Sequence, residues 1–399
     1  MSAPTEQPNT RLFTPAFIAL SLAELAYFTA AGLTIPVTPL FAHGPLGADP
    51  AGVGLVVGAF SVTALILRPY AGRMTDRWGR RQPLVLGALA CAIVLAGHAF
   101  VDSLAVLVGL RLLLGVAEAF FFVAGFAAVA DLAPPGRAGE ALSFNSLSLY
   151  LGIALGPLLG HWLLDQGGFG LAWIGGAALA LAAAALAWRL PETMRRDETP
   201  GATDTPGFLH RAAIAPSLVL FAAIAGMGGF FAFVAIYATE DLGLDGTGGV
   251  LLLFGAIVVT TRIVFAKLPD RVPPFRLGAI ALALCAAGLA IAGGFPSVAG
   301  LVVGSALLAI GVAFTTPAVF AAIFARVPAS ERGAASGTAS LFIDLGFGGG
   351  PMLLGIVAGS AGIPAAFVVA AAVAAVGAAG STLLSLDRGR ATVIAAPAD

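Results

Sequence analysis

The sequence predicts an all-α membrane protein of twelve spanning helices arranged as two six-helix halves, and three observations predict it. Of 399 residues, 59% are hydrophobic and only 10% charged, where soluble domains carry about 25% charged residues. The apolar residues fall into twelve runs, each long enough to cross roughly 30 Å of hydrocarbon as a helix of about 20 residues. An internal repeat with an offset of 194 residues aligns Arg68–Arg77 (RPYAGRMTDR) with Arg262–Arg271 (RIVFAKLPDR), Gly156-Pro157 with Gly350-Pro351, and Cys91 with Cys285. A repeat of that length spans six helices and makes the second half a copy of the first.

The first span, near 13–41, is too long for the apolar core of a cleaved leader and carries Glu24, so it reads as a membrane helix. Spans two (51–71) and three (83–101) flank Gly72–Arg81, G-R-M-T-D-R-W-G-R-R. About ten residues remain for that turn, so the two helices are antiparallel neighbours, with Gly72 and Gly79 allowing the bend. Its arginines and Asp76 cost too much in lipid, which places the loop in water. Spans four to six follow at 104–131, 141–164 and 169–189. Pro191–Arg211, dense in proline, glycine and threonine, reads as a flexible linker. It divides an N-terminal bundle (1–190) from a C-terminal bundle (213–399), with 191–212 as a cytoplasmic linker. The second half then repeats the pattern at 213–238, 248–268, 276–294, 297–326, 334–359 and 364–386.

Charge tests this count. With both termini on one side, the basic residues of loops and tails, from Arg73 through Arg137, Arg195, Lys267 and Arg332 to Arg390, all fall on that side. The other side holds Asp49, Asp102, Asp165, Glu240, Asp241 and Asp245. An odd number of spans in either half would destroy the partition, and the positive-inside rule makes the arginine side cytoplasmic. A multi-pass protein of the cell inner (plasma) membrane, embedded in a lipid bilayer with both termini cytoplasmic, is the expectation.

Composition also excludes classes. A formal charge of −1 without a large basic patch gives no nucleic-acid footprint. No G-x-x-x-x-G-K-[ST] loop occurs, which argues against ATP-driven pumping. The two cysteines lie in apolar runs and read as small buried hydrophobes. The four histidines are scattered without metal-ligand or nucleophile-base spacing, so neither a metal, a cofactor nor an enzyme is expected.

The 72–81 loop resembles the loop 2–3 signature of the major facilitator superfamily, with Gly72, Asp76, Arg77, Gly79, Arg80 and Arg81 standing where that pattern wants them. Arg111 with Gly115 is similar to the superfamily's helix 4 motif. G-I-A-L-G-P-L-L-G, Gly152 to Gly160, resembles the helix 5 motif of its twelve-span drug:proton antiporter branch, with His161 in place of a glycine sometimes found there. The resemblance implies alternating access between two bundles, a central cavity lined by helices 1, 4, 7 and 10, and a conformational latch made by the loop. In that latch Asp76 would approach the start of helix 11, where the helix dipole favours negative charge, and Asp131 would pair with Arg77 or Arg81. Gly152, Gly156, Pro157 and Gly160 offer a small-residue face for close helix packing, with a bend at the proline. With its repeat in helix 11, this face reads either as a hinge-like contact of helices 5 and 11, or of each with its cross-half neighbour, on which the bundles rock, or as ordinary tight packing.

Charges inside spans point to mechanism, because each costs about 2.5–3.5 kcal/mol at the bilayer centre. Glu24, Arg111, Glu118 and Asp344 lie well inside apolar runs and are expected to face a cavity. Arg111, Gly115, Glu118 and Phe122 share one helical face. Asp344 and Glu118 are the preferred proton carriers, Glu24 the third, with Arg111 biasing them. A static pair of Arg111 with Glu24 or Glu118 is the structural alternative. Arg68 and Arg262, near span ends, are expected to snorkel or join the latch. His98 and His161 are expected to play bland polar roles. Tyr27, Phe28, Phe122, Tyr150, Phe230, Phe233, Tyr237 and Phe347 are the candidate substrate contacts, suited to a small amphipathic molecule. Together the residues and the resemblance predict a monomeric, proton-coupled exporter of drugs or small metabolites working by antiport. Uptake by proton symport, or less readily a transporter-like receptor, are the alternatives.

Overall fold

The computed structural model describes residues 12–134, 137–194, 209–265, 268–327 and 332–394. Helix α1 (Pro15–His43) starts where Thr14 Oγ1 accepts the amide of Phe17, with Pro15 at the first position, where its missing N–H costs nothing. The same device starts α2 (Pro50–Trp78), where Asp49 caps the amide of Gly52 at 2.8 Å. Gly79, at φ +89°, ends it in a conformation that favours glycine. Helices α3 (Arg81–His98) and α4 (Leu104–Leu132) follow. The helical stretch Ala138–Trp188 is broken at Gly167 and Gly168, the latter at φ +69°, into α5 (138–166) and α6 (169–188). The expected division at 164–169 is therefore made by two glycines.

In the second half come α7 (Arg211–Ile236), which runs on into one π-helical turn at Tyr237–Asp241, and α8 (Gly248–Val264). After the single turn Leu268–Arg271 come α9 (Pro274–Gly294), α10 (Val298–Phe324), α11 (Arg332–Ala361) and α12 (Ile363–Ile394). Helix α8 is the short one, 17 residues or about 26 Å at 1.5 Å per residue. It stops at Phe265, three residues before the expected end of its span.

The halves pack alike. α1 lies along α5, α2 along α4, and α3 against α4 and the α5–α6 unit; α7 lies along α11, α8 along α10, and α9 against α10 and α12. Because lipid tails are as apolar as leucine, such contacts depend on close fit, and small residues supply it. A Cβ added at Gly156 would lie 2.5 Å from backbone atoms of Gly32 and Leu33 on α1, and one at Gly152 2.5 Å from the backbone of Phe28. The repeat-related Gly346 and Gly350 press in the same way on Ile224 and Ala225 of α7. The helix 5 motif thus ties α5 to its own half, which corrects the expectation that it meets helix 11 or a cross-half neighbour: its glycines leave room for the α1 backbone instead.

The halves meet through α2–α11, α5–α8 and α1–α7. Here α11 uses Gly348, Pro351 and Gly355: a Cβ at Gly54 would fall on the carbonyl oxygen of Pro351, one at Gly58 on that of Gly348, and one at Gly355 2.6 Å from that of Pro50. The repeat partner of this contact is Gly255 of α8 against Ala154 of α5. These approaches lie toward the face opposite the arginine loop, and they hold the halves closed there. His161, with Nε2 accepting the Thr247 amide at 3.1 Å, and His43, with Nε2 3.0 Å from Glu240, add polar cross-half contacts at the same end.

Candidate functional site

Nearer the arginine loop, the interface between the halves is polar. Arg68 of α2 is followed by Pro69, which removes a helical hydrogen bond just where the side chain turns inward. Its Nη2 donates to Asp344 Oδ1 of α11 at 2.7 Å, and its Nε faces Oδ2 of the same carboxylate. Glu118 Oε1 of α4 lies 3.9 Å from Nη2, and the guanidinium sits 4.4 Å above the ring of Phe122, one turn further along α4. One guanidinium therefore joins α2, α4 and α11. Of the two expectations for Arg68, to snorkel or to join the latch, the first is corrected: its side chain is only 10% exposed, because carboxylates from two other helices meet it inside.

Arg111 lies apart from that cluster. Its Nε and Nη2 donate to the carbonyls of Val56 and Val57 at 3.2 Å each, and it covers the Phe60 ring at 4.9 Å. It thus holds α4 against α2, assisted by Gly115, where a Cβ would fall on the Phe60 carbonyl. Among the described residues, the static pair of Arg111 with Glu24 or Glu118 is not formed within 4.0 Å; backbone carbonyls satisfy the guanidinium instead. Glu24, 2% exposed, accepts from Asn145 Nδ2 of α5 and abuts Gly125 of α4, where a Cβ would sit 2.5 Å from Oε1. Asn145 was absent from the sequence expectations; the signal was an amide side chain at the start of an apolar span. Among the described residues no group of three metal-ligating side chains occurs.

The aromatic candidates divide. Tyr27 stacks on Phe121 at 3.8 Å, and Phe28 stands edge-on to Tyr27, Phe121 and Phe122, so α1 and α4 form one aromatic wall beneath Arg68. Phe230 and Tyr237 pack on Phe367 of α12, and Tyr237 donates to the Ala292 carbonyl at 2.9 Å. These two face the interior of the second half, and Phe233 is fully buried. Phe347, one turn beyond Asp344, is partly buried beside α7. Tyr150 meets Arg262: its hydroxyl accepts from Nη2 at 2.5 Å, and the guanidinium lies 3.8 Å from the ring centre. Tyr150 also lines a small hollow of about 20 Å³, roughly the room of one water, with Ile153, Met227, Phe254, Gly255, Val258 and Val312.

Comparison with protein families matches residues 20–299, more than half the chain, to the Major Facilitator Superfamily. The chain belongs to the Major Facilitator Superfamily. It is 31% identical over 382 residues to an uncharacterized transporter of this superfamily from Burkholderia mallei, covering 92% of this chain and 90% of that one. It is 28% identical over 370 residues to another from Salmonella typhimurium, covering 90% and 94%. Among solved structures it resembles the human organic anion transporter MFSD10 (TM-score 0.70, 21% identical, 94% of this chain and 100% of that one). It also resembles an inward-facing, occupied bacterial homologue of the human lysosomal transporter Spinster (0.74, 17% identical, 92% and 96%). The nucleoside transporter NupG gives a TM-score of 0.75 at 14% identity, over 92% of this chain and 99% of that one. At these identities the solved structures show the shared fold alone. This major facilitator is a multi-pass membrane transporter.

In this major facilitator the loop signature is held mostly from within its own half. Arg80 Nε donates to Asp131 Oδ2 at 2.9 Å, where Arg77 or Arg81 was expected, and Arg80 Nη1 donates to the Thr75 carbonyl at 3.1 Å. Arg81 lies over the Trp188 ring at 5.6 Å, and Arg77 is exposed. The Asp76 side chain and the side chains opening α11 lie outside the described residues. Glu192, in the stretch expected to be flexible linker, accepts from the amides of Arg80 (2.7 Å), Arg81 (3.3 Å) and Met194 (3.0 Å). A carboxylate on the N-terminus of α3 is well placed against the helix dipole. Gly79 leaves the room, since a Cβ there would fall on this carboxylate. Partial burial works to raise the Glu192 pKa, but the backbone donors outweigh it and hold the carboxyl below its usual value. A lowered folded value means that the contact is complete above the usual carboxylate range and is lost as pH falls through the lowered value. Amide exchange in 79–82 is therefore expected to have constant protection from pH 5 to 8 and to lose it in acid, while Glu192→Gln lowers protection at every pH in that range. Hydrogen-exchange mass spectrometry checks both, and equal protection in the variant would remove Glu192 as the anchor.

Proposed function

We propose that this transporter is a proton-coupled exporter of small amphipathic molecules, rocking its two halves (1–190 and 213–399) about the membrane centre. The loop face and both termini would lie in the cytoplasm of a cell whose inner membrane holds the protein as a monomer. The observation that carries the reading is Arg68 shared between Asp344 in the other half and Glu118 in its own. With Asp344 ionised, Arg68 holds α2 to α11 across the interface. A proton on Asp344 removes that attraction and leaves Glu118 as the stronger partner, so the clasp passes from between the halves to within one. A hydrogen bond to a charged group contributes about 1.5–3 kcal/mol, or roughly a 10- to 150-fold shift between two nearly balanced states. That is enough to couple one proton to opening at the loop face. Substrate would pass the aromatic wall of Tyr27, Phe28 and Phe122, with Phe347 opposite. Glu24 with Asn145 supplies a further acid, Arg111 sets the approach of α4 to α2, and Asp76 with Arg77 would latch the loop face onto α11.

The test is flux in proteoliposomes. Purified protein is reconstituted with a pH-sensitive dye inside, a pH gradient is imposed, and accumulation of a panel of amphipathic cations, neutral compounds and anions is followed. The expected result is accumulation driven by the gradient, with reciprocal proton movement when the compound is added and loss of both on adding a protonophore. Antiport and symport give opposite signs of proton movement. Flux indifferent to the gradient and to the protonophore would make the protein a uniporter and end the coupled reading.

A further inference from the structure

The 194-residue repeat carries an asymmetry where the halves meet at the face opposite the arginine loop. Gly54 and Gly355 have the repeat partners Gly248 and His161. In the first contact two glycines let α11 and α2 meet backbone to backbone, with Gly355 pressed on Pro50 and Gly54. In the second an imidazole stands at the glycine's place. His161 of α5 lies beside Gly248, the first residue of α8, where a Cβ would be 3.6 Å from its own. Helix α8 has given way to it: α2 starts at Pro50, whose repeat partner is Leu244, but α8 starts only at Gly248. The ring sits where that missing turn would be, since a Cβ at Gly246 would fall on its Nε2. Nε2 accepts the amide of Thr247 at 3.1 Å, while the Thr247 side chain caps nothing. A residue of one half thus satisfies an amide at the start of a helix of the other.

We propose that His161 is a proton-binding site of this gate: the neutral ring holds the halves together at the face opposite the arginine loop, and a proton taken up from that side releases them. The bond fixes the state of the ring. To accept from Thr247, Nε2 must carry no hydrogen, so the ring's one proton is on Nδ1, which is buried without a hydrogen-bond partner. A second proton turns Nε2 into a donor facing a donor and sets positive charge at a helix N-terminus, whose dipole repels it. Both nitrogens of an imidazolium donate, so no turn of the ring restores the bond. On its own helix the ring has Asp165, exposed one turn further on, whose charge draws the proton. On the other half it meets Gly246, Thr247 and Gly248, none of which titrates, with Asp245 exposed beside them. His43 at the same face has the opposite requirement, because Nδ1 faces the Ala48 carbonyl and Nε2 faces Glu240, each at 3.0 Å. That pair is exposed and contributes little. The glycine contact at Gly355 cannot respond to a proton, so the device is confined to one of two equivalent places. The inference rests on the reading of the halves as rocking parts, and it names the group through which a proton would open this face.

The experiment is a distance measurement by pulsed electron spin resonance on the full chain in nanodiscs, between spin labels on Asp102→Cys and Pro296→Cys. These repeat partners are exposed at the same face, one in each half, and the native Cys91 and Cys285 are buried. Samples are frozen at about pH 8 and at about pH 5, the range across which a histidine titrates. In acid the labelled parent is expected to gain a longer-distance population, its ratio to the short one rising about tenfold, as loss of the partner of one buried amide predicts. His161→Gln keeps an oxygen to accept the Thr247 amide and takes no proton, so its ratio should not follow pH. His161→Gly, which installs the residue of the repeat partner, should be equally indifferent and decides the matter if the glutamine variant does not fold. Both variants share the Arg68 clasp with the parent, so a response arising at Asp344 or Glu118 would survive in them. A parent indifferent to acid, or a response retained in either variant, overturns the proposal. Gly54→Val with the same labels separates the two ways of failing, since it should show the long distance at both pH values. Its long distance beside an indifferent parent rejects His161 and keeps the rocking halves, whereas a single short distance in every sample rejects the rocking and the proposal with it.

Discussion

Asp344→Asn is expected to leave the protein folded and inserted while cutting substrate-driven proton movement by about tenfold or more, the loss anticipated for one charge-assisted contact. The fold survives because Arg68 keeps a second acid, Glu118 at 3.9 Å, and the Phe122 ring at 4.4 Å. Glu118→Gln should behave alike in folding, since Asp344 then remains at 2.7 Å. Removing both acids is different in kind. A buried guanidinium left without any carboxylate costs about 3–5 kcal/mol, so the double variant should show a sharply lowered melting temperature, and adding Arg68→Gln should recover it. Lumenal pH in proteoliposomes and melting of purified protein read the two effects separately. Unchanged proton movement in Asp344→Asn would exclude it as an essential carrier and turn attention to Glu118 and Glu24. A double variant as stable as its parents would show that Arg68 draws no support from either acid.

Glycines of two kinds give the second large effect. Gly156→Val forces a branched side chain into backbone atoms of α1 that a single Cβ would already meet at 2.5 Å. Overpacking of this kind costs about 1–3 kcal/mol, and more where the obstacle is backbone rather than side chain. The first half cannot separate α5 from α1 without losing its core, so this variant should fail to accumulate or melt far below wild type. Gly54→Val meets the Pro351 carbonyl, an obstacle of the same sort, but across the interface between halves. There the halves can part. That variant should fold, stay open at the face opposite the arginine loop, and lose transport. Reactivity of a cysteine placed at Ser61, which packs against Gly348 in the closed arrangement, reports it: high in Gly54→Val, low in wild type. Equal stability of the two variants would mean that the cross-half and within-half contacts are not distinct.

Much of the architecture was legible because the bilayer leaves few choices. Apolar runs near 20 residues, the one-sided arginines and the 194-residue offset each constrain the count of helices, and the described helices agree with that count, down to the break between α5 and α6. The glycine ladder of α5 was legible as a close contact, but its partner is α1 and not helix 11 or a cross-half neighbour, since a small face fits any neighbour. The polar site was only half legible. Glu118 and Asp344 stood out because charge inside an apolar run is costly, whereas Arg68, four residues before the loop glycine Gly72, looked like an ordinary helix-end cation. Glu192 was hidden in a stretch whose composition reads as linker, and its docking depends on amides at residues 80 and 81, more than a hundred positions away.

The division follows from range. Local chemistry and hydrophobicity, which act within a span or a turn, are written in the order of residues. By itself the sequence determined an all-helical chain that must cross the membrane repeatedly, its two-fold internal repeat, and the list of charges too expensive to be idle. Tertiary structure decided which charge meets which: that Arg68 meets Asp344, 276 positions away, that Arg111 spends itself on carbonyls, and that Arg262 faces a phenol where its repeat partner faces an acid. Partner choice of this kind is set by how whole helices pack, and in lipid that packing depends on shape fit between distant small residues, which no local pattern records.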